Sequence, residues 1–586
     1  MTKDVVKDPL TFEVFRHAIS GLADEMAITI LRTAHSQIVA ASMDFSAALC
    51  APDGSVIAQA NTCPVHLGSI PDAMQAILAK FGDSVEPGDM YLLNDPDEGG
   101  MHLPDIFAVA PIFDGVDLLG FGATVVNHAD VGGWIPGSMG VQSTSIFAEG
   151  IQIPPTRLIH RGIVNKETYA LILRNVREPE LLRGDLEAQF AANHAAAIGV
   201  RRLANRYGRE EYPRLCTELM DYSETLLRGA LAQVPEGRYS FDDQIDDDGL
   251  GSGPIPFHVT VSAANGEIEF DFTGSSPQVA SALNATASFT KSATYAALQG
   301  ALGTGIPANS GFYRPCKFII PECSILNARR PAARGARGLV AYRIIDTVFG
   351  ALAPIFPERV PAAGDGGPSA IAIGTVEDDG ASSVTWDILC GAWGARADRD
   401  GVDGISPLGA NIANTPIEEL ERTGRLRIDG YGYLPDSAGA GKWRGGLGPF
   451  RDLTFLSDST LQIRSDRQKF LPYGLDGGCA GTPSSNTLAV PDQDLRALPS
   501  KVVIDVPSGT KLRHVTAGGG GHGYPSERDP ELVARDVVDG KVTVSRARQD
   551  YGVAASADGS LDLEETARLR SVMSTSSGEN TDPERT

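Results

Sequence analysis

Apolar residues recur at Phe12, Phe15, Ile19, Leu22, Met26 and Ile30, a one-faced stripe that predicts a long helix near the start of the chain. Asp8-Pro9 marks its beginning, with Asp8 as N-cap and Pro9 at the first helical position. The pattern then switches to alternation in FSAALCAPDGSVIAQA, around Pro52-Asp53-Gly54, which predicts a β-hairpin. A second helix is expected over 72–81 and a strand near 90–93. The apolar runs IFAVAPIF and LLGFGATVV flank Asp114-Gly115 and predict a further hairpin, with a Gly/Pro-rich loop on each side of it, NDPDEGGMHLPD and NHADVGGWIPGSMG. Residues 165–232 read as helical. From Gly237 onward strand and turn signals dominate, with helical returns at 288–302 and 342–352. The closing STSSGENTDPERT is too polar to form a core and is expected to be disordered.

These elements predict an α+β protein in four stretches: a mixed N-terminal region over 1–164, a helical segment over 165–236, a strand-rich region with inserted helices over 237–555, and a disordered tail over 556–586. With 586 residues the chain can build several core-bearing units, since single cores stop growing near roughly 250–300 residues. Its 65 glycines fall largely in clusters between apolar runs, which fits tight turns and elaborate loops. A formal charge of −24 makes nucleic acid and anionic membrane surfaces poor partners. No apolar run reaches the roughly 20 residues of a spanning helix, and MTKDVVKDPLTF lacks the apolar core of a secretory signal. Seven cysteines, scattered singly and odd in number, point to a reducing cytoplasm.

The chemistry concentrates in the two Gly/Pro-rich loops. The first offers Asp95, His102 and Asp105, the second His128 and Asp130. Pro104 places His102 and Asp105 on a turn, and antiparallel pairing of the hairpin between the loops would bring Asp105 and His128 to one end of a sheet. Two imidazoles and a carboxylate are a common ligand set for Zn, Mn or Fe(II). Asp130 or Asp95 is then a candidate to hold an imidazole N–H from behind. The competing reading is that these are turn-capping residues. His66, in CPVHLGSIPDA, is a further candidate donor or a satisfied loop histidine. His194 reads as a packing residue on a helix, and His258 as a strand residue facing solvent or a cross-strand neighbour.

Other signatures are missing. GAGKW at 439–443 lacks the hydroxyl residue and the first glycine of a phosphate-binding loop. GGGGHG at 518–523 is not set between a clear strand and helix and reads as a flexible turn. No nucleophile elbow is present, and Cys50, Cys63 and Cys390 read as buried.

Taken together, DPLTFEVFRHAI, CPVHLGSIPDA, NDPDEGGMHLPD, NHADVGGWIPGSMG, FDFTGSSPQV, YRIIDTVFGALAPIFPERVPAA, LPDSAGAGKWRGGLG and GGGGHGYPSERDP resemble the hydantoinase B family, from about Asp8 to Tyr551. That family includes the B-type half of 5-oxoprolinases, N-methylhydantoinases and caprolactamase, and the metal-bearing subunit of acetone-type carboxylases. The resemblance implies His102, Asp105 and His128 as metal ligands and places Glu149, in FAEG, near the substrate. The chain departs from the family pattern at Asn127, where many members have histidine, and at His522, where an aromatic is frequent.

What the resemblance implies is an ATP-dependent enzyme that opens a small cyclic amide such as a hydantoin, 5-oxoproline or a lactam. One divalent metal, Zn or Mn with Fe as an alternative, would sit at His102, Asp105 and His128. ATP and Mg would be bound by an A-type partner, with two chains of each type in the assembly. Asp130 or His66 is expected as general base, with Glu149 nearby. A role as part of a ketone carboxylase is the alternative, and a non-catalytic scaffold a third reading.

Overall fold

The computed structural model describes residues 6–577 apart from 304, 377–379 and 381. The expected first helix forms at Pro9–Thr33, and the Asp8 side chain accepts the amides of Leu10 and Thr11. All six residues of its apolar stripe are buried, each contributing about 1.5–3 kcal/mol relative to exposure. The stripe packs on the long helix Pro179–Tyr207.

The alternating segments build a seven-stranded sheet: β1 (Phe45–Cys50), β2 (Val56–Gln59), β3 (Met90–Leu93), β4 (Asp105–Asp114), β5 (Asp117–Asn127), β6 (Thr156–His160) and β7 (Ile163–Val164). Its order is β2-β1-β5-β4-β3-β6-β7, antiparallel throughout. Both predicted hairpins are present. In the central one Asp105 pairs with Asn127 and Asp114 with Asp117. Alternation along β4 divides its side chains between two cores. Phe107 and Val109 meet the helices Ile70–Phe81 and Ala287–Leu302, while Ile106 and Ala108 face Ile172 and Leu186. Both faces of the hairpin are therefore covered.

The helical stretch divides into Lys166–Arg174, Pro179–Tyr207 and Glu211–Leu231. Beyond it come one four-stranded sheet made by Gly237–Ile245, Ile255–Ala264, Glu267–Asp271 and Cys316–Ile319, then another four-stranded and a five-stranded sheet. The helix Gly338–Leu352 starts one turn before the expected 342. One apolar cluster draws on the whole sequence, uniting Phe107, Val125, Leu227, Phe257 and Ile344. The architecture is α+β, as the element pattern indicates.

Two expectations change. The tail reading fails over 561–577, where a short strand Leu561–Asp562 and a helix Leu563–Ser577 form; 578–586 lie outside the described residues. Polarity alone missed a helix that packs through its N-terminal part against the chain. More telling, Gly518–Gly521 is no flexible turn but a buried, extended stretch of backbone. Its amides donate outward to the carbonyls of Thr482, Gly446, Ala363 and Cys479, so the hydrogen bonds fan out to several neighbouring segments. A Cβ at any of these four glycines would collide with a backbone carbonyl oxygen, of Ser437, Trp393, Tyr473 and Ala440 in turn. Only glycine fits where backbones meet this closely.

Gly518→Ala should cost about 1–3 kcal/mol or more through forced displacement of backbone, measured as a fall in the denaturant midpoint. Gly229→Ala, in the helix Glu211–Leu231 with nothing near its Cβ, should instead raise stability by about 0.5–1 kcal/mol.

Candidate metal centre and adjoining cavity

His102 and Asp105 occupy the turn that opens β4, and His128 follows the last residue of β5. The Asp105–Asn127 register sets them at one end of the hairpin, and the His128 amide donates to the Pro104 carbonyl at 2.9 Å. His102, Asp105 and His128 are buried. His102 Nδ1 stands 3.0 Å from Asp105 Oδ2, yet neither ring nitrogen of His102 makes a hydrogen bond. Asp105 Oδ1 and His128 Nδ1 are likewise buried without hydrogen-bond partners. Each orphaned group costs about 1–3 kcal/mol, so four in one place call for an explanation.

The tautomer of His128 follows from its neighbour. Gln189 donates Nε2 to the Ile106 carbonyl at 2.9 Å and to Thr124 Oγ1 at 3.2 Å. Its Oε1 therefore faces His128 Nε2 at 3.3 Å and accepts that N–H. The lone pair is left on Nδ1, the orphaned atom. Burial pushes the His128 pKa down, against the pull of Asp185 and Gln189. Burial, reinforced by Arg337, lowers that of His102 to about 4. Burial would raise the Asp105 pKa, but Arg337, His102 and His66 outweigh it and hold the carboxyl ionised. Two neutral imidazoles and a carboxylate with unused lone pairs match the donor set of a divalent cation.

The positive charge that answers Asp105 in this structure is Arg337, whose guanidinium contacts Oδ2 and lies 4.1 Å over the Phe289 ring. Among the described residues, two sets have donor atoms all within 4.8 Å of one another, Asp44–Cys63–His66 and Glu86–Asp89–His160. His102, Asp105 and His128 are not drawn together that closely. In the first set the Cys63 thiol donates to the Gly409 carbonyl at 3.4 Å, and burial raises its pKa. The second set is a surface ion network in which Arg157 and Arg161 supply the cations.

His66 joins the centre. Its Nε2 lies 3.5 Å from Asp44 Oδ1 and 3.9 Å from Asp105 Oδ1. Beside it opens a cavity of about 50 Å³ lined by Asp44, His66, Asn127, Arg337, Tyr342 and Arg464. Sequence reasoning missed Asp44, Arg337 and Arg464. They come from segments remote from the two loops and carry no local motif.

Other expected residues play different parts. Asp130 accepts from the amides of Gly132, Gly137 and Arg177 and pairs with the Arg177 guanidinium at 2.8 Å. Both its oxygens are occupied, and it holds the second loop in place. Asp95 accepts the Asp97 amide and faces Arg330, so neither aspartate backs an imidazole, a role that falls to Gln189 for His128. Glu149 is buried and accepts the amides of Arg334 and Gly335. It braces the turn that presents Arg337 instead of facing the cavity. His194 is exposed, and His258 bonds its cross-strand neighbour Asp242 at 2.8 Å. The seven cysteines are all free. No described helix is long and apolar enough to cross a membrane.

The fold and the order of its segments recur in known proteins. The B chain of a putative D-/L-hydantoinase from Pseudomonas sp. (strain NS671) is 33% identical, covering 96% of this chain and 98% of that one. The crystal structure of the ATP-dependent caprolactamase from Pseudomonas jessenii superposes with a TM-score of 0.90 at 28% identity, over 96% of this chain and 99% of the other. A nucleotide-free acetone carboxylase shares the fold, with a TM-score of 0.91 at 19% identity over 98% and 84% of the two chains. Residues 8–525 match the Hydantoinase B/oxoprolinase family, and the chain belongs to it.

Burial raises the Glu149 pKa to about 7, against the pull of the Arg334 and Gly335 amides. Between pH values near 4.5 and 7 the folded chain therefore keeps a proton that the unfolded chain releases, and stability falls as pH rises through that window. Glu149→Gln should flatten this fall, by up to about 3 kcal/mol, in urea midpoints measured against pH. An unchanged slope would show that Glu149 is ionised in the fold.

Proposed function

We propose that the chain is the metal-bearing, B-type component of an ATP-dependent hydrolase that opens a small cyclic amide together with an ATP-binding A-type partner. Family membership supports the reaction class. Relatives named as the B component of a hydantoinase and the beta component of a caprolactamase support a partner chain. Two copies of each chain would make the assembly. The observation that carries the metal reading is the set of buried, unpartnered polar atoms on His102, Asp105 and His128, which leaves a free lone pair on each imidazole and on Asp105 Oδ1.

Those three residues would hold one divalent cation, Zn or Mn with Fe as an alternative. Bound there, it would polarise a carbonyl or lower the pKa of a water molecule. An unstrained amide resists water because resonance protects its carbonyl, which is why ATP, with Mg, is spent by the partner. The role of base passes to His66, whose Nε2 borders the cavity and can take a proton, with Asp44 at 3.5 Å to stabilise the imidazolium. Gln189 keeps the lone pair of His128 on Nδ1, and Arg337 keeps Asp105 ionised. The apolar rim of Met139, Ile388 and Ile412 limits bulk water.

The chain should be co-purified with its A-type partner and assayed for ATP-coupled ring opening over hydantoins, 5-oxoproline and caprolactam. Stoichiometric Zn, Mn or Fe is expected, together with a loss of about 100-fold or more in kcat on His102→Ala and His128→Ala. Ring opening by the chain alone without ATP would overturn the proposal. So would full activity in the double variant, the outcome for a scaffold. A product heavier by carbon from bicarbonate rather than by water would make the enzyme a ketone carboxylase.

A further inference from the structure

The cavity beside His66 is lined by one guanidinium that no carboxylate of the described residues meets at ion-pair distance. Buried arginines elsewhere are tied to carboxylates: Arg343 to Asp243 and Asp466, Arg444 to Asp403, Arg451 to Asp387, Arg467 to Asp346, and Arg528 to Asp400. Arg337, on the cavity wall, is taken by Asp105. Arg464 differs. It ends the strand Ser459–Arg464 and lines the same cavity. Its contacts are neutral and long, from Nη1 to the Gly335 carbonyl at 3.4 Å and to Met139 Sδ at 3.5 Å. Among the described residues no carboxylate oxygen comes within 4.0 Å of it.

A half-buried guanidinium that lines a cavity without a paired carboxylate is available to an anion brought into it. Burial and then the neighbouring Arg337 lower its pKa to about 10, so it stays cationic at neutral pH. Asp44 borders the cavity too and attracts Arg464 across it, but it stands against His66 at 3.5 Å and outside ion-pair distance of Arg464. Burial raises the Asp44 pKa, against the pull of His66.

We infer that Arg464, with Arg337 behind it, is the recognition group for an oxyanion on the molecule that occupies this cavity. This rests on the cavity being the substrate site. The oxyanion is a phosphoryl group placed on the activated amide or a carboxylate carried by the ring. A planar guanidinium fork fits either. Arg464 is a binding and orienting residue, and it takes no part in proton transfer.

The test is calorimetric titration of the purified full chain with inorganic phosphate and with acetate, in EDTA so that no metal contributes. Binding of phosphate assigns the phosphoryl group, and binding of acetate alone assigns the carboxylate. Arg464→Gln should weaken the anion that binds by roughly 10- to 100-fold, and Arg464→Lys, which keeps the charge but loses the fork, by less. If Arg464→Gln does not fold, Asn127→Asp should weaken the same anion similarly by placing a negative charge on the cavity wall. Binding of neither anion, or equal binding in the variants, would overturn the inference. Metal content measured on the same proteins before EDTA is added tests the metal reading separately, so either can fail alone.

Discussion

A carboxylate that stays ionised out of water needs a cation beside it, and in the candidate centre that carboxylate is Asp105. The β4–β5 hairpin delivers it to the end of the central sheet. Around it stand His102, His66 and Arg337, each from a different piece of chain. Arg337 precedes the helix Gly338–Leu352, and Glu149 holds the preceding turn through two amides. Many features of the loops serve this one charge: they bring opposite charge to it, or they hold the groups that do.

The same constraint explains why the scaffold is heavily built. The central hairpin is covered on both faces, so water cannot screen the charges at its end. The strand Ser459–Arg464 and the helix after Arg337 must therefore reach the site through tertiary packing alone. The glycine stretch at 518–521 lets several backbones approach one another in the C-terminal half, where side chains would hold them apart. Gln189, on the helix Pro179–Tyr207, likewise reaches the site only because that helix lies across β4 and β5. A helix that serves mainly as packing thus also sets which nitrogen of His128 carries its lone pair.

Much of the fold was legible because its signals are local and periodic. The stripe from Phe12 to Ile30, the strand at 90–93 and both hairpins follow from spacing that a single element must obey. His102, Asp105 and His128 were legible as neighbours because hairpin register converts sequence distance into spatial distance. The differences between the sequence reading and the structure have a common source. Asp130 and Glu149 look chemical in sequence, but loop amides take their oxygens. GGGGHG looks like a turn, because nothing local distinguishes a glycine run that needs flexibility from one that needs room.

Family, fold class and the two Gly/Pro-rich loops were thus set by residues close together in the chain, where motif and periodicity act. The tertiary structure alone decided which charges face one another: Arg337 against Asp105, Asp44 against His66, and Arg464 against the cavity they share. Coulomb interactions depend on distance in space and on burial. Neither is written in the order of residues separated by hundreds of positions.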